Sequence, residues 1–159
     1  MAHQATLKFK DHDTEYTIND INYTVTCETS KTGHPNKRPE ISPITMILVA
    51  TDNSDLFFYE WMSKYTGEGS VKECTIKFKV VSKGKISTKT LFMQDVHPIS
   101  LRENFNFHDD KQMTVTLSIV CQYAEFFAGE NTDKEQEGNV RFWRNQKAVK
   151  AAEKSDKKS

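Results

Sequence analysis

Residues 113–123, MTVTLSIVCQY, set Met113, Val115, Leu117, Ile119, Cys121 and Tyr123 on one parity and mostly polar side chains on the other. Successive side chains of an extended chain point to opposite faces, so alternation sustained over this length specifies a half-buried β-strand. The same period runs through most of the first 128 residues. TLKFK places Leu7 and Phe9 on one face with lysines opposite, and Tyr16 and Ile18 alternate after the polar turn KDHDTE. Parity then slips at Asn19-Asp20 before Ile21, Tyr23, Val25 and Cys27 resume it, which predicts a bulge or tight turn. ECTIKFKVV sends Cys74, Ile76, Phe78 and Val80 one way and Thr75, Lys77 and Lys79 the other. SKGK reads as a hairpin turn, with its glycine free to take positive φ. ISTKTLFMQDV and HPISLRENFNF follow, with Pro98 favouring an edge or a bulge. ITMILVAT is apolar on both faces, the pattern of a central strand.

One segment changes period. In TDNSDLFFYEWMSKY, Phe58, Trp61, Met62 and Tyr65 fall at i, i+3, i+4 and i+7, one stripe of a helix packed on the rest. Asp52 is placed to cap it, and Asp55 lies in the first turn, where the helix dipole favours negative charge. Many short strands and a lone helix predict an all-β sandwich or barrel whose helix covers one opening or face.

Two stretches stand outside this pattern. Residues 28–43, ETSKTGHPNKRPEISP, hold three of the four prolines and one aliphatic side chain, Ile41. Internal connections this long are uncommon in compact domains unless they serve a function. From about Gly129 the chain turns polar: GENTDKEQEGN reads as a linker, and VRFWRNQKAVKAAEKSDKKS as a basic tail, either helical or disordered. The expected organisation is a β-domain over 1–128 and a charged extension over 129–159.

Lys plus Arg equals Asp plus Glu at 22 each, so net charge draws the chain toward neither nucleic acid nor membrane. The N-terminal MAHQATLKFK lacks the apolar run of a signal peptide, and no stretch approaches a membrane span. Cys27, Cys74 and Cys121 are odd in number, widely spaced and on apolar parities. Buried free thiols in a reducing cytoplasm are expected, not a disulfide framework. No phosphate loop, GxSxG elbow, HExxH or calcium-loop spacing occurs. Asp95, His97 and Ser100 are near in sequence, but their spacing does not build a triad, and the HDD at 108–110 reads as a solvated turn. No catalytic, metal or cofactor residue is assigned.

The charges that do exist are segregated. Lys77, Lys79, Lys83 and Lys85 make one hairpin basic, while Glu103, Asp109 and Asp110 are acidic near the last turn, and Asp11, Asp13, Glu15 and Asp20 near the start. A neutral chain with separated patches suits head-to-tail contact with copies of itself.

The order of these segments resembles the Hcp (TssD) family, the tube subunit of the bacterial type VI secretion system, particularly its Bacteroidetes branch. INYTVTCETSKTGHPNKRP looks like the family's second strand running into its extended loop. ITMILVATDNSDLFFYEWM looks like the strand and single helix, TIKFKVVSKGKISTKTLFMQDVHPISLRENFNF like the central hairpin and the strand after it, and QMTVTLSIVCQYAEF like the closing strand. The likeness spans residues 4–127. It implies a small β-barrel of two packed antiparallel sheets with one flanking helix, assembled as hexameric rings that stack into a hollow tube inside a contractile sheath. By that likeness Lys31, His34, Pro35, Lys37, Arg38, Pro39, Glu40 and Ile41 form a ring-stacking loop, with Lys37, Arg38 and Glu40 in polar contact with the neighbour and Ile41 as its apolar anchor. The implied partners are the chain itself, sheath and tip proteins, and secreted effectors, with assembly in the cytoplasm followed by export and with no nucleic acid or membrane insertion. Two other readings remain open: a phage or contractile-injection tail-tube protein, and a monomeric β-barrel binding module.

Overall fold

The computed structural model describes residues 3–36, 38–49, 56–64, 66–67, 69–105, 113–129 and 140–143. In chain order the elements are β1 (His3–Phe9), β2 (Glu15–Asn22), β3 (Val25–Thr26), β4 (Glu40–Ile41), β5 (Ile44–Val49), α1 (Phe57–Ser63), β6 (Lys72–Ser82), β7 (Lys85–Asn104), β8 (Thr114–Ala128) and β9 (Val140–Trp143). Hydrogen bonding runs β5-β2-β1-β6-β7-β8 and returns from β8 to β5, closing a six-stranded barrel. Every ladder in it is antiparallel. The two expected layers are thus joined into one continuous wall, beside a separate β3–β4 ladder.

Closure depends on the length of β8. Its first half pairs with β5 from Thr114↔Val49 to Ile119↔Ile44. Its second half runs past the end of β5 and takes β9 as its neighbour, from Tyr123↔Trp143 to Phe126↔Val140. The parity residues then fill the interior. Leu7, Phe9, Ile44, Ile76, Leu91, Met93, Leu117 and Ile119 are fully buried. A barrel this narrow has room for side chains and no channel. Each such aliphatic or aromatic side chain contributes about 1.5–3 kcal/mol by leaving water.

The parity slip at Asn19-Asp20 is a bulge: the β2–β5 register shifts between Ile18 and Asp20. The SKGK turn is a two-residue hairpin with Lys83 at φ 51° and Gly84 at φ 77°, matching the twist of the flanking strands. Pro98 lies at a register shift between Pro98 and Ser100, as its missing N–H requires. The segments on either side of it are nevertheless one bent strand, β7, with a second irregularity at Asp95, whose φ is 51°.

Helix α1 plugs one end of the barrel. The Phe9 ring centroid lies 4.9 Å from Phe57, 6.0 Å from Phe58 and 5.2 Å from Trp61. Trp61 Nε1 donates to Ser70 O at 3.1 Å, so the indole is buried without leaving its N–H unpaired. Phe58 and Trp61 are buried and Met62 half-buried, as the stripe requires; Tyr65 lies outside the described residues. So do Asp52 and Asp55. The described N-cap is Leu56, without a side-chain cap bond.

Two further expectations need correction. Cys74 and Cys121 are buried, but Cys27 is only half-buried, because β2 ends at Asn22 and Cys27 lies past β3, away from the barrel wall. Val140–Trp143, placed at the start of a helix or a solvated tail, is strand β9: it meets a β8 edge left free by the shortness of β5. Residues 130–139 and 144–159 lie outside the described residues.

Candidate assembly surfaces

The topology sorts the connections to two ends. At one end lie the β1–β2 turn and α1, which joins β5 to β6. At the other lie the β6–β7 turn and the long excursion from β2 to β5.

That excursion, expected as an open loop, is a two-stranded ribbon. Its root is closed by Ser42 N donating to Thr24 O at 2.8 Å and Thr24 N donating to Ser42 Oγ at 2.9 Å. Val25↔Ile41 and Thr26↔Glu40 pair next. Further out, Asn36 N donates to Glu28 O at 2.9 Å, Thr29 bridges Pro35, and Ser30 N donates to His34 O at 2.7 Å. Gly33 N closes the tip on Ser30 O at 2.9 Å, and the φ of 84° there is one that glycine takes without strain. The prolines leave these bonds intact because each bond uses another residue's N–H.

The arm exposes Lys31, His34, Pro35, Arg38, Pro39 and Glu40, while Lys37 lies outside the described residues. Ile41 departs from expectation. It is only 4% exposed and belongs to the chain's own core, so it fastens the arm to its own barrel and offers nothing to a neighbour. We expect Ile41→Ala to cost about 2 kcal/mol, at the low end for a buried aliphatic truncation, read as a lower denaturant midpoint at constant slope.

Beside the arm stands the basic hairpin. Lys79, Lys83 and Lys85 are exposed on it, Lys77 is half-buried, and Lys89 Nζ lies 4.8 Å from the Phe78 ring centroid and 5.8 Å from that of Phe126. At the helix end Asp13, Glu15, Glu60 and Glu103 are exposed. Asp11 pairs with Lys72 at 2.9 Å, and the bond to that ammonium holds its carboxyl below the usual range. The Tyr59 hydroxyl, bonded to Glu103, is held above the ordinary phenol value mainly by that bond. Asp109 and Asp110 lie outside the described residues.

Periodicity did not reveal the apolar side chains at both ends. Ile86 is 70% exposed at the start of β7 and Phe105 69% exposed just past its end. Val25, Val80 and Val140 join Ile86 at the arm end, and Leu56 and Tyr59 join Phe105 at the helix end. Their signal was position: they lie near the ends of strands or of the helix, where the barrel no longer covers them, and Ile86 in addition stands on the parity opposite the core residues Leu91 and Met93. Exposed apolar groups beside segregated charge make a surface suited to burial against a partner.

Other chemistry is sparse among the described residues. Asp95 is exposed at its irregularity, His97 is half-buried, and the register shifts before Ser100, so parity breaks twice along those six residues and they do not converge. Burial raises the Cys74 thiol far above its ordinary value, which keeps it protonated and inert. No group of three metal-ligating side chains occurs among the described residues, and no described helix is long and apolar enough to cross a membrane.

A family model described as "Hemolysin coregulated protein Hcp (TssD)" matches residues 1–135. Solved structures share the fold at low identity. Hcp1 from Flavobacterium johnsoniae is 19% identical, with a TM-score of 0.60 over 82% of this chain and 99% of its own. An Hcp1 double mutant from E. coli EAEC 042 is 10% identical, with a TM-score of 0.62 over 89% and 97%. The secreted protein Hcp3 from Pseudomonas aeruginosa is 10% identical, with a TM-score of 0.57 over 91% and 100%. Among curated proteins none matches the chain.

Proposed function

The chain belongs to the family of the hemolysin coregulated protein Hcp (TssD), and from that membership we propose how its two ends serve assembly. It is a tube subunit of a type VI secretion system, in a family whose subunits form hexameric rings that stack. The family is structural, not enzymatic. A tube wall works by geometry, so its chemistry lies in the fit between copies.

The observation that carries our reading is the polarity of the barrel. The arm and the basic hairpin leave one end, and the acidic turn, α1 and Phe105 lie at the other. Rings stacked head to tail bring those ends together. Lys31, Arg38, Lys83 and Lys85 then face Asp13, Glu15, Glu60 and Glu103, and complementary charge sets the register. His34, Pro35, Pro39 and Glu40 are also exposed on the arm. The ribbon's own hydrogen bonds and its prolines reduce the freedom lost on docking. In the same proposal the rings are exported through the type VI apparatus and meet sheath proteins, tip proteins and effectors as partners.

Electron microscopy of purified protein in negative stain tests this reading. We expect annuli with an open centre at low concentration and stacked annuli at high concentration. Raising salt from about 0.1 M to about 1 M cuts the screening length from about 10 Å to about 3 Å. Stacks should then separate while rings persist. A monomer at every concentration refutes assembly; stacks indifferent to salt refute the charge-matched contact.

A further inference from the structure

We propose that strand β9 is a brace that aims the arm, so that a segment beyond the family-matched residues 1–135 sets how well rings stack. The inference rests on the reading of the arm as the ring-to-ring contact.

Ile41 fastens the arm to the barrel at one point, but a single anchored side chain does not fix the direction of a ribbon. Its root ladder has two residue pairs, and a short two-stranded ribbon is marginal in water without a further packing partner. That partner is β9. Paired along the second half of β8, it lies beside β4, the returning strand of the root. Its Phe142 packs against the core and meets Phe126 edge-on, with ring centroids 5.8 Å apart at 86°. Phe126 in turn lies 6.0 Å from Tyr23, the residue immediately before the backbone bonds that close the root. The ring of Phe126 is also reached by Lys89 of the basic hairpin. Thus β9, the arm root and the second protruding hairpin converge on Phe126. The barrel closes through β5–β8 without β9, so releasing β9 leaves the wall complete and frees only the arm.

The test uses the full-length chain carrying Phe142→Ala, and Phe142→Asp to force β9 off its apolar seat. Amide hydrogen exchange at Thr26, Glu40 and Ser42, whose N–H groups face across the root ladder, is expected to quicken about tenfold or more, with Leu117 and Ile119 unchanged, as for a local opening. Rings should form as before, stacking should fall, and Phe142→Leu should restore both. Unchanged exchange at the arm root in the Phe142→Asp variant overturns the brace, as does an equal rise throughout the barrel. Faster arm exchange with normal stacking, while shortening the arm abolishes stacking, overturns its control of assembly. If shortening the arm itself leaves stacking intact, the ring-contact reading falls instead, and arm exchange still decides whether β9 is a brace.

Discussion

Replacing Thr29–Pro35 with a two-residue Asn-Gly turn, flanked by the bonded pair Glu28 and Asn36, is expected to leave rings intact and abolish stacked tubes. The change removes the exposed tip carrying Lys31 and His34 while keeping every root bond: Thr24 with Ser42, Val25 with Ile41 and Thr26 with Glu40. Asn-Gly suits the positive φ of a tight hairpin, so the shortened ribbon can still close. Because the barrel core contains nothing from residues 29–35, the thermal midpoint should stay within the small range of a surface change. Cutting further would confuse the outcome. A deletion reaching Ile41 also removes a core side chain, and loss of tubes could then reflect loss of fold. Sedimentation and micrographs of the shortened chain decide the matter: tubes of normal length would remove the arm from the stacking contact.

The largest stability effect should come from Phe9→Ala. Phe9 is fully buried and touches three rings of α1 at once, Phe57, Phe58 and Trp61. Truncating a buried phenylalanine costs about 3–5 kcal/mol, and the lost edge-on and tilted ring pairs push toward the upper end. Against a whole-domain stability of about 5–15 kcal/mol, that is a large share. At about 2–4 °C per kcal/mol for a chain of this size, the midpoint should drop by roughly 10 °C. The measurement belongs at concentrations where the protein is monomeric, since ring formation adds stability by mass action. A loss below about 1 kcal/mol would mean that α1 holds the barrel end through other contacts.

Much of the candidate surface was legible from residue order, though not its use. Lys83 and Lys85 were visible as a basic turn, and Glu103 as an acidic group far along the chain. Their opposition across the barrel follows from β7, whose two ends carry them. Phe105 shares the parity of Leu101, which packs on the core, while Ile86 stands on the parity opposite Leu91 and Met93, and these two are the most exposed large apolar side chains described. Alternation reports which face of a strand a residue occupies. It does not report whether neighbouring strands extend far enough to cover that face.

By itself the sequence determined the alternating strands of the barrel, helix α1, the parity slip after Ile18 and the Lys83-Gly84 turn. All of these depend on local properties: a period of two or 3.6, a parity slip, and a residue tolerant of positive φ. Only the tertiary structure decided that β5 closes on β8, that the proline-rich excursion folds on itself with Ile41 turned inward, and that Val140–Trp143 becomes a strand. Those outcomes are pairings between segments distant in the chain. Each depends on which edge stands unfilled when the barrel closes, and no stretch of sequence carries that information alone.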